Sequence, residues 1–313
     1  PVVSLDEVDM EQGIEVEGMS QLRGESHQDQ DKFRITVDLE QRYDGYMDPG
    51  QTPQASFGLT SVIFTGSYFN LQMVDMNECW TENQIFEVDG KPVIWKKGEP
   101  VQRGLGSALL KWRKENPQMW ADMHAEGFRF YQQPAGFCDQ KIVQWQIMEQ
   151  HKVYPCSISL KDMFSGGLSE AARTESSLRQ QICTWIRGKV TACIQVADTD
   201  VIRQIKLIKM RQDRELRAEL SKLAEVENTR AIFNCGMYEM MRTLRGCIMK
   251  AKEKLGNEDT LMHAAFRNGW FHFRPNPETK QMERTLEQEW TCLLYTSDAA
   301  DDSLRVDLGG RRI

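Results

Sequence analysis

Apolar residues in the first third of the chain follow the pattern of β-strands. The segment RITVDLE (Arg34–Glu40) alternates apolar and polar residues, and LTSVIFTG (Leu59–Gly66) is a β-branched run closed by glycine. The stretches YDG and DPGQTP between them have the composition of turns. The opening residues VVSL predict one more strand, and IFEVDGKPVIW predicts a hairpin that turns at Asp89–Gly90. The chain therefore begins with a group of strands.

Helical spacing of apolar residues begins after residue 100 and continues into the C-terminal region. Two short apolar runs interrupt it, CSISL (Cys156–Leu160) and VTACIQV (Val190–Val196), and both predict strands. The segment FHFRPNPETK is predicted to be a loop because prolines interrupt it. The predicted helices are Gly104–Asn116, Pro117–Glu126, Asp139–His151, Ser169 to about Arg187, Asp200 to about Glu227, Met237–Lys254 and Asp259–Asn268.

The order of these elements is three strands, an insert, and then helices that alternate with strands. Antiparallel strands followed by βαβ units predict an α/β fold with a ribonuclease H-like mixed sheet and flanking helices. We assign residues 1–209 to this domain, with the insert at about 70–115, and residues 210–290 to a helical C-terminal region. Residues 291–313 resemble a translated sequencing adapter and are excluded from the fold. Because the chain starts without methionine, we expect a fragment.

The composition is that of a folded protein. Hydrophobic residues make up 40% of the chain and charged residues 27%, which suffices for a sizeable core. No apolar run reaches the roughly 20 residues that span a bilayer, so we expect no membrane partner. The net charge of −7 argues against a wholly basic surface, yet the segment Asp200–Lys254 holds more basic than acidic residues.

Eight cysteines are scattered singly, without a CxxC pair or a histidine at metal-ligand spacing. Unpaired thiols in this pattern are typical of a reducing compartment. We therefore expect an intracellular protein, nuclear in a eukaryote. The histidines are isolated and receive no catalytic role. Five tryptophans are interpreted as core and insert packing, not as platforms for stacked bases: Trp80, Trp95, Trp112, Trp120 and Trp145.

Three predicted strands carry an aspartate at or just past their ends. These are VVSLDE with Asp6, SISLKD with Asp162 and CIQVAD with Asp198. Paired divalent cations in phosphoryl-transfer enzymes take oxygen ligands from several rigid elements, and strand ends provide such rigidity. The competing interpretation is that each aspartate caps a turn or the helix that follows it. Asp200 is the alternative to Asp198 as the third ligand.

The same motifs resemble the catalytic domain of mariner-superfamily transposases of the pogo, Tigger and jerky type. VVSLDE is similar to the first-aspartate motif of that family, and RITVDLEQRYDG with LTSVIFTG resembles the two strands that follow. AGFCDQKIVQWQIMEQ has the place of the helix before the second acid. IQVADTDVIRQIK resembles the third-acid motif, in which Gln195, Asp198 and Lys206 match. The resemblance covers Val2 to Lys209.

The resemblance implies a DDE-type reaction, cleavage and transfer of DNA strands by two Mg²⁺ or Mn²⁺ ions held on Asp6, Asp162 and Asp198, with Asp200 as a further candidate ligand. DNA is then the expected partner, a homo-oligomer is a further expectation, and no small-molecule substrate is predicted. Met163 stands where the family has asparagine. This departure favours an alternative, a catalytically inactive module that is derived from the same fold and binds nucleic acid or protein.

Basic residues in RQIKLIKMRQDRELR permit two interpretations. Lys206 and its neighbours could contact a phosphate backbone, or they could form the solvated face of an ordinary helix with spaced ion pairs. In a third hypothesis, the chain is an unrelated α/β protein whose C-terminal helices, Asp200–Asn268, form an assembly surface. Metal binding at the three aspartates separates the enzyme from the other hypotheses.

Overall fold

A computed structural model of the chain describes residues 2–4, 7–10, 14–16, 35–44, 54–155, 157–162, 166–186, 201, 204–212, 214–215, 218, 231–233, 237–256, 260–261, 264, 273–275 and 282–284. The strands are β1 (Val2–Ser4), β2 (Glu7–Met10), β3 (Ile14–Val16), β4 (Ile35–Asp44), β5 (Gln54–Thr65), β6 (Phe69–Asn70), β7 (Gln84–Val88), β8 (Lys91–Trp95), β9 (Phe128–Gln133), β10 (Ile158–Asp162), β11 (Ile182–Ile186), β12 (Ala231–Phe233), β13 (Phe273–Pro275) and β14 (Met282–Arg284). The helices are α1 (Ser107–Glu115), α2 (Pro117–Ala125), α3 (Gln140–Val153), α4 (Glu170–Leu178), α5, described over residues 204–212, and α6 (Met237–Leu255).

Eight strands form one mixed sheet in the order β11-β10-β1-β4-β5-β9-β6, and β2 extends the β1 side by pairing with β4. Antiparallel pairing joins β1 to β4 and β4 to β5. On one side, β10 and β11 continue the sheet in parallel with β1. On the other side, β9 is parallel to β5, and β6 is antiparallel to β9. The expected mixed α/β class is confirmed.

The strands expected near the N-terminus are present, and β4 and β5 are longer than the pattern predicts. β4 includes Tyr43 and Asp44, which the sequence assigns to a turn, because these residues pair with Ala55 and Gln54 of β5. The hairpin of β7 and β8 turns at Asp89–Gly90 as expected, with φ of 51° and 72°. Both values lie in the left-handed region, which is typical of the tight turns that join hairpin strands.

The predicted helices α1, α2, α3 and α6 are confirmed. α4 also begins as expected, since Oγ of Ser169 accepts a hydrogen bond from the backbone N–H of Ala172 at 3.2 Å. The predicted end of this helix near Arg187 is wrong. Gln180 adopts the left-handed conformation, with φ of 55°, and Ile182–Ile186 then forms β11 in parallel with β10. A residue in this conformation commonly terminates a helix.

Strands that the sequence does not predict include β9 and the C-terminal pair β13 and β14. β9 is not predicted from the sequence, yet all of its residues are buried and it lies between β5 and β6 in the sheet. Part of the loop predicted over FHFRPNPETK is a strand, since Phe273–Pro275 pairs with Met282–Arg284. The strand predicted at Val190–Val196 and most of the helix predicted at Asp259–Asn268 lie outside the described residues.

The two faces of the sheet differ in polarity around β9. Successive strand residues point to opposite faces, so that Phe128 points to one face and both Arg129 and Tyr131 point to the other. α3 covers the polar face, where the ring of Trp145 stacks on Tyr131 with 6.2 Å between centroids. α6 covers the apolar face, where the ammonium of Lys252 lies 5.6 Å from the centroid of Phe128.

Aromatic packing joins the insert to this core. Trp80 and Trp95 stack with 3.9 Å between ring centroids, and Trp95 stacks in turn on Trp145 of α3 at 5.7 Å. These three tryptophans and Trp112 are buried, which confirms the interpretation of these four residues as packing residues. The four cysteines at described positions are not in disulfide bonds. In the part of the chain that the structure describes, no helix has the length and apolar character needed to cross a membrane.

Candidate functional site

Of the four sequence-predicted metal ligands, Asp162 is at a described position. Asp162 is the last residue of β10, which is flanked by β1 and β11. The other predicted ligands, Asp6, Asp198 and Asp200, lie outside the described residues. Among the described residues, no group of three or more histidine, cysteine, aspartate or glutamate side chains is placed to hold a metal ion.

A row of polar side chains is buried between β4 and α3. Gln146 donates from Nε2 to Oδ2 of Asp38, and Gln150 donates from Nε2 to Oε1 of Glu40. All four side chains are buried. The pairs match because residues i and i+2 of a strand lie about 6.6 Å apart, and residues i and i+4 of a helix lie about 6 Å apart along its axis. The two hydrogen bonds thereby hold α3 in one register on β4.

Glu40 has a second partner in the sheet. Its Oε2 accepts a hydrogen bond from the backbone N–H of Leu59 at 3.0 Å. A Cβ atom at Gly58 would lie 2.8 Å from that oxygen, so the absence of a side chain there permits the close approach. Buried carboxylates are costly unless donors surround them, and Glu40 obtains donors from both a helix and a strand.

An ion pair lies on the same face of the sheet, between β9 and α3. Nε of Arg129 lies 3.0 Å from Oε2 of Glu149, and both side chains are less than a tenth exposed. Nη1 of Arg129 also donates to the backbone oxygens of His124 and Phe128. Oε1 of Glu149 lies 2.8 Å from Nζ of the half-exposed Lys152. The pair therefore has the additional hydrogen bonds that a buried charge requires.

The N-terminus of α3 is bound to the insert by a second polar group. Oδ1 of Asp139 accepts hydrogen bonds from the backbone N–H groups of Lys141 and Ile142, and the hydroxyl of Tyr68 donates to Oδ2. This is the capping geometry that stabilises the first turn of a helix. Burial and the neighbouring Asp139 raise the pKa of Tyr68, so the phenol remains a donor.

Lys141 completes this group. Its Nζ donates to Oε1 of Gln84 at 3.2 Å and lies 4.7 Å from the ring centroid of Phe86 and 5.2 Å from that of Trp145. Burial lowers the pKa of Lys141 to about 8. Because the ammonium is enclosed by rings of the protein itself, we interpret it as an anchor between α3 and the β7–β8 hairpin.

Sequence reasoning misses the polar layer beneath α3. The alternation in RITVDLE predicts a strand and does not show that α3 covers its polar residues Asp38 and Glu40. A signal was present in the helix, because Gln146 and Gln150 are spaced i, i+4 on its buried face. By contrast, Lys206 is exposed on α5, as expected for a residue on a solvated helix face.

Comparison of the chain with protein-family models, with curated proteins and with solved structures finds no match.

Proposed function

We propose that the chain is a ribonuclease H-like, metal-dependent domain that cleaves and transfers DNA strands, as its resemblance to DDE transposases implies. The strand order supports this fold. β5, β4 and β1 are joined by antiparallel pairing, and β10 and β11 follow in parallel on the far side of β1. α3 precedes β10, and α4 connects β10 to β11. Antiparallel strands followed by βαβ units are what this fold requires.

The observation that carries the proposal is the register of β1 on β10. The two strands are parallel, with Ser4 paired to Leu160. Asp6 follows Ser4 by two residues, and Asp162 follows Leu160 by the same number. Two residues of chain span at most about 7 Å, so this register supports a shared site for the first and second predicted acids. A capping role for each aspartate does not call for this shared register.

Carboxylate oxygens are the ligands that Mg²⁺ and Mn²⁺ prefer. Asp6, Asp162 and either Asp198 or Asp200 would hold the ions, and a pair of bound ions lowers the pKa of water and stabilises the oxygens of a phosphoryl group. In strand cleavage, the oxygen of water forms a bond to phosphorus and the bond to the 3′ oxygen breaks, which leaves a 3′-hydroxyl and a 5′-phosphate. In transfer, the oxygen of that 3′-hydroxyl forms a bond to the phosphorus of a second phosphodiester and gives up its proton, and the bond from that phosphorus to its own 3′ oxygen breaks, so that a new 3′-hydroxyl leaves. DNA is the proposed substrate, and a homo-oligomer is the proposed assembly.

The test is calorimetric titration of Mn²⁺ into the full chain at neutral pH and low salt. We expect binding by the parent protein and its loss in Asp162→Asn, because one ligand of a shared site is removed. Asp89→Asn is the matched control, since Asp89 is exposed at the tip of a hairpin. Asp198→Asn and Asp200→Asn, compared in the same titration, identify which of the two supplies the third ligand.

Supercoiled plasmid DNA with Mn²⁺ then separates an enzyme from an inactive relative of one. Nicking by the parent that Asp162→Asn abolishes supports the reaction. Metal binding without nicking, on supercoiled DNA and on single strands, favours the inactive binding module. If the parent binds no Mn²⁺, or if Asp162→Asn binds it equally well, the metal site is wrong and the aspartates are better read as caps.

A further inference from the structure

A groove lies between α5 and α6. The two helices run antiparallel, since Nζ of Lys254 donates to Oε1 of Gln204 at 2.7 Å and Sγ of Cys247 donates to Oε1 of Gln212 at 2.6 Å. The first contact joins the start of α5 to the end of α6, and the second joins residue 212 of α5 to the middle of α6. The groove alongside them has a volume of about 570 Å³ and continues to residue 214 on the α5 side.

The rim of the groove is basic. Arg211 and Arg214 lie on the α5 side, Lys250 and Lys254 lie on α6, and Glu253 is the acid among the lining residues. The described lining residues therefore carry a net charge of +3, opposite in sign to the net charge of −7 of the whole chain. Cations stand on both sides of the groove and recur about once per helical turn. The rim thus complements a ligand that carries negative charge along both of its flanks.

The floor of the groove is apolar. Leu207, Ile208 and Met210 line it, and Leu207 and Met210 are 48% and 49% exposed. Arg211 is spaced i+4 from Leu207 and i+3 from Ile208 on α5, so a basic residue follows the apolar residues by one turn on the same side of the helix. A ligand that met only the rim would leave these apolar side chains in water.

We propose that this groove binds an acidic amphipathic helix of a partner protein. Such a helix places an apolar stripe on the floor and acidic flanks against the rim, so it uses both features. From residue 204 to residue 214 the α5 wall is about 15 Å long, which matches about three turns of a bound helix. Nucleic acid matches less well, because the described lining residues include no aromatic ring on which a base could stack. The proposal is independent of the proposed metal site.

The test uses the full chain and a fluorescein-labelled helical peptide of about fourteen residues, with leucines spaced i, i+3, i+4 and i+7 and glutamates beside them. Fluorescence anisotropy at low salt is expected to show binding. The double variant Arg211→Glu/Lys250→Glu should weaken binding at least about tenfold, because rim charges then repel the peptide. Leu207→Gln should weaken binding to a similar degree, because it replaces an apolar side chain on the floor of the groove with a polar one. Lys114→Glu, an exposed lysine of α1, is the matched control and should have no effect.

Reversing the charge of the peptide controls for variants that lose binding because they do not fold. A second peptide, in which lysines replace the glutamates, should bind Arg211→Glu/Lys250→Glu and not the parent. Absence of binding to the parent, or equal binding by the parent and all variants, overturns the proposal. The proposal is also overturned if a single-stranded oligonucleotide binds the parent and displaces the peptide, with binding that requires Arg211 and Lys250 and is unchanged in Leu207→Gln. The groove would then be a nucleic-acid site.

Discussion

Arg129 of β9 and Glu149 of α3 form an ion pair that is buried between the sheet and the helix, with 3.0 Å between Nε and Oε2. The two residues are close in the sequence, and the ion pair joins β9 to the helix that follows it. Nη1 of Arg129 is satisfied by backbone oxygens of the same region. Removing one partner leaves the other charge buried without its counter-charge, whereas removing both leaves no charge. The two changes should therefore differ in their cost to stability.

Glu149→Leu is expected to lower the free energy of unfolding by about 3–5 kcal/mol, because it leaves a buried guanidinium without its carboxylate. Arg129→Met/Glu149→Leu should recover most of that loss. Urea denaturation measures both. Lys111→Ala/Glu115→Ala is the matched control, since that pair is exposed and is worth at most about 0.5 kcal/mol. If the double variant were as unstable as the single one, packing and not charge would explain the effect.

Lys252 is expected to make stability depend on pH. Burial lowers its pKa from 10.5 to about 8, against the attraction of Glu126 and Glu40. Below about pH 8 the folded and unfolded states both hold the proton. Between about pH 8 and 10.5 the unfolded state binds more protons, so the free energy of unfolding rises with pH in that window.

Lys252→Met removes this contribution, and the rise in the free energy of unfolding from pH 8 to pH 10 should be smaller than in the parent. Urea denaturation at several pH values measures it. Lys141, whose pKa is also lowered to about 8 by burial, accounts for a remaining part of the rise. Lys114→Met, at an exposed site, should leave the slope of the parent intact. Equal slopes for the parent and Lys252→Met would contradict the burial effect.

Gly106→Ala is expected to destabilise the protein more than Gly98→Ala. Both glycines have positive φ, 62° and 81°, and a side chain in this region costs about 1–2 kcal/mol. A Cβ at Gly106 would also collide with the ring of Phe69, whereas nothing lies near a Cβ at Gly98. The collision should add about 1–3 kcal/mol. Thermal unfolding of the two variants measures the difference, and equal costs would show that the ring of Phe69 moves aside freely.

Gln150→Leu is expected to lower the free energy of unfolding by about 1–3 kcal/mol, since it removes an amide donor from the buried carboxylate of Glu40. The double variant Glu40→Leu/Gln150→Leu should cost less than the sum of the two single variants. A double-mutant cycle from urea denaturation gives the coupling energy. Additive costs would mean that the two side chains stabilise the protein independently.

Local patterns predict the elements in which apolar residues keep a regular spacing, and fail for those in which they do not. β4 and α3 show alternation and helical spacing, and both are found. β9 escapes prediction because FRFYQQ is buried on both faces while half of it is polar, so neither an apolar run nor a clean alternation marks it. The residues of β11 continue a helical pattern, and the turn at Gln180 that separates them from α4 has no glycine to announce it.

The candidate site divides in the same way. The strand that ends in Asp162 is predictable, because an apolar run that meets an acid is a local signal. The carboxylates beneath α3 are not predictable, because their amide partners are distant in sequence: Asp38 and Gln146 are separated by 108 residues, and Glu40 and Gln150 by 110. A polar residue at every second position of a strand is expected to be exposed to solvent, and this expectation changes only when the covering helix is known.

The pairing of β1 with β10 has a consequence for synthesis of the chain. Val2 pairs with Ile158, so the ribosome must add 156 further residues after Val2 before β1 can pair with β10. At a translation rate of about 5–20 residues per second this interval is on the order of ten to thirty seconds. During that time the nascent chain can form the antiparallel pairs of β1, β4 and β5, but one edge of β1 has no partner, and an unpaired edge invites association with other chains. The open edge of β1 on the ribosome-bound chain is therefore a site at which association with other chains is expected.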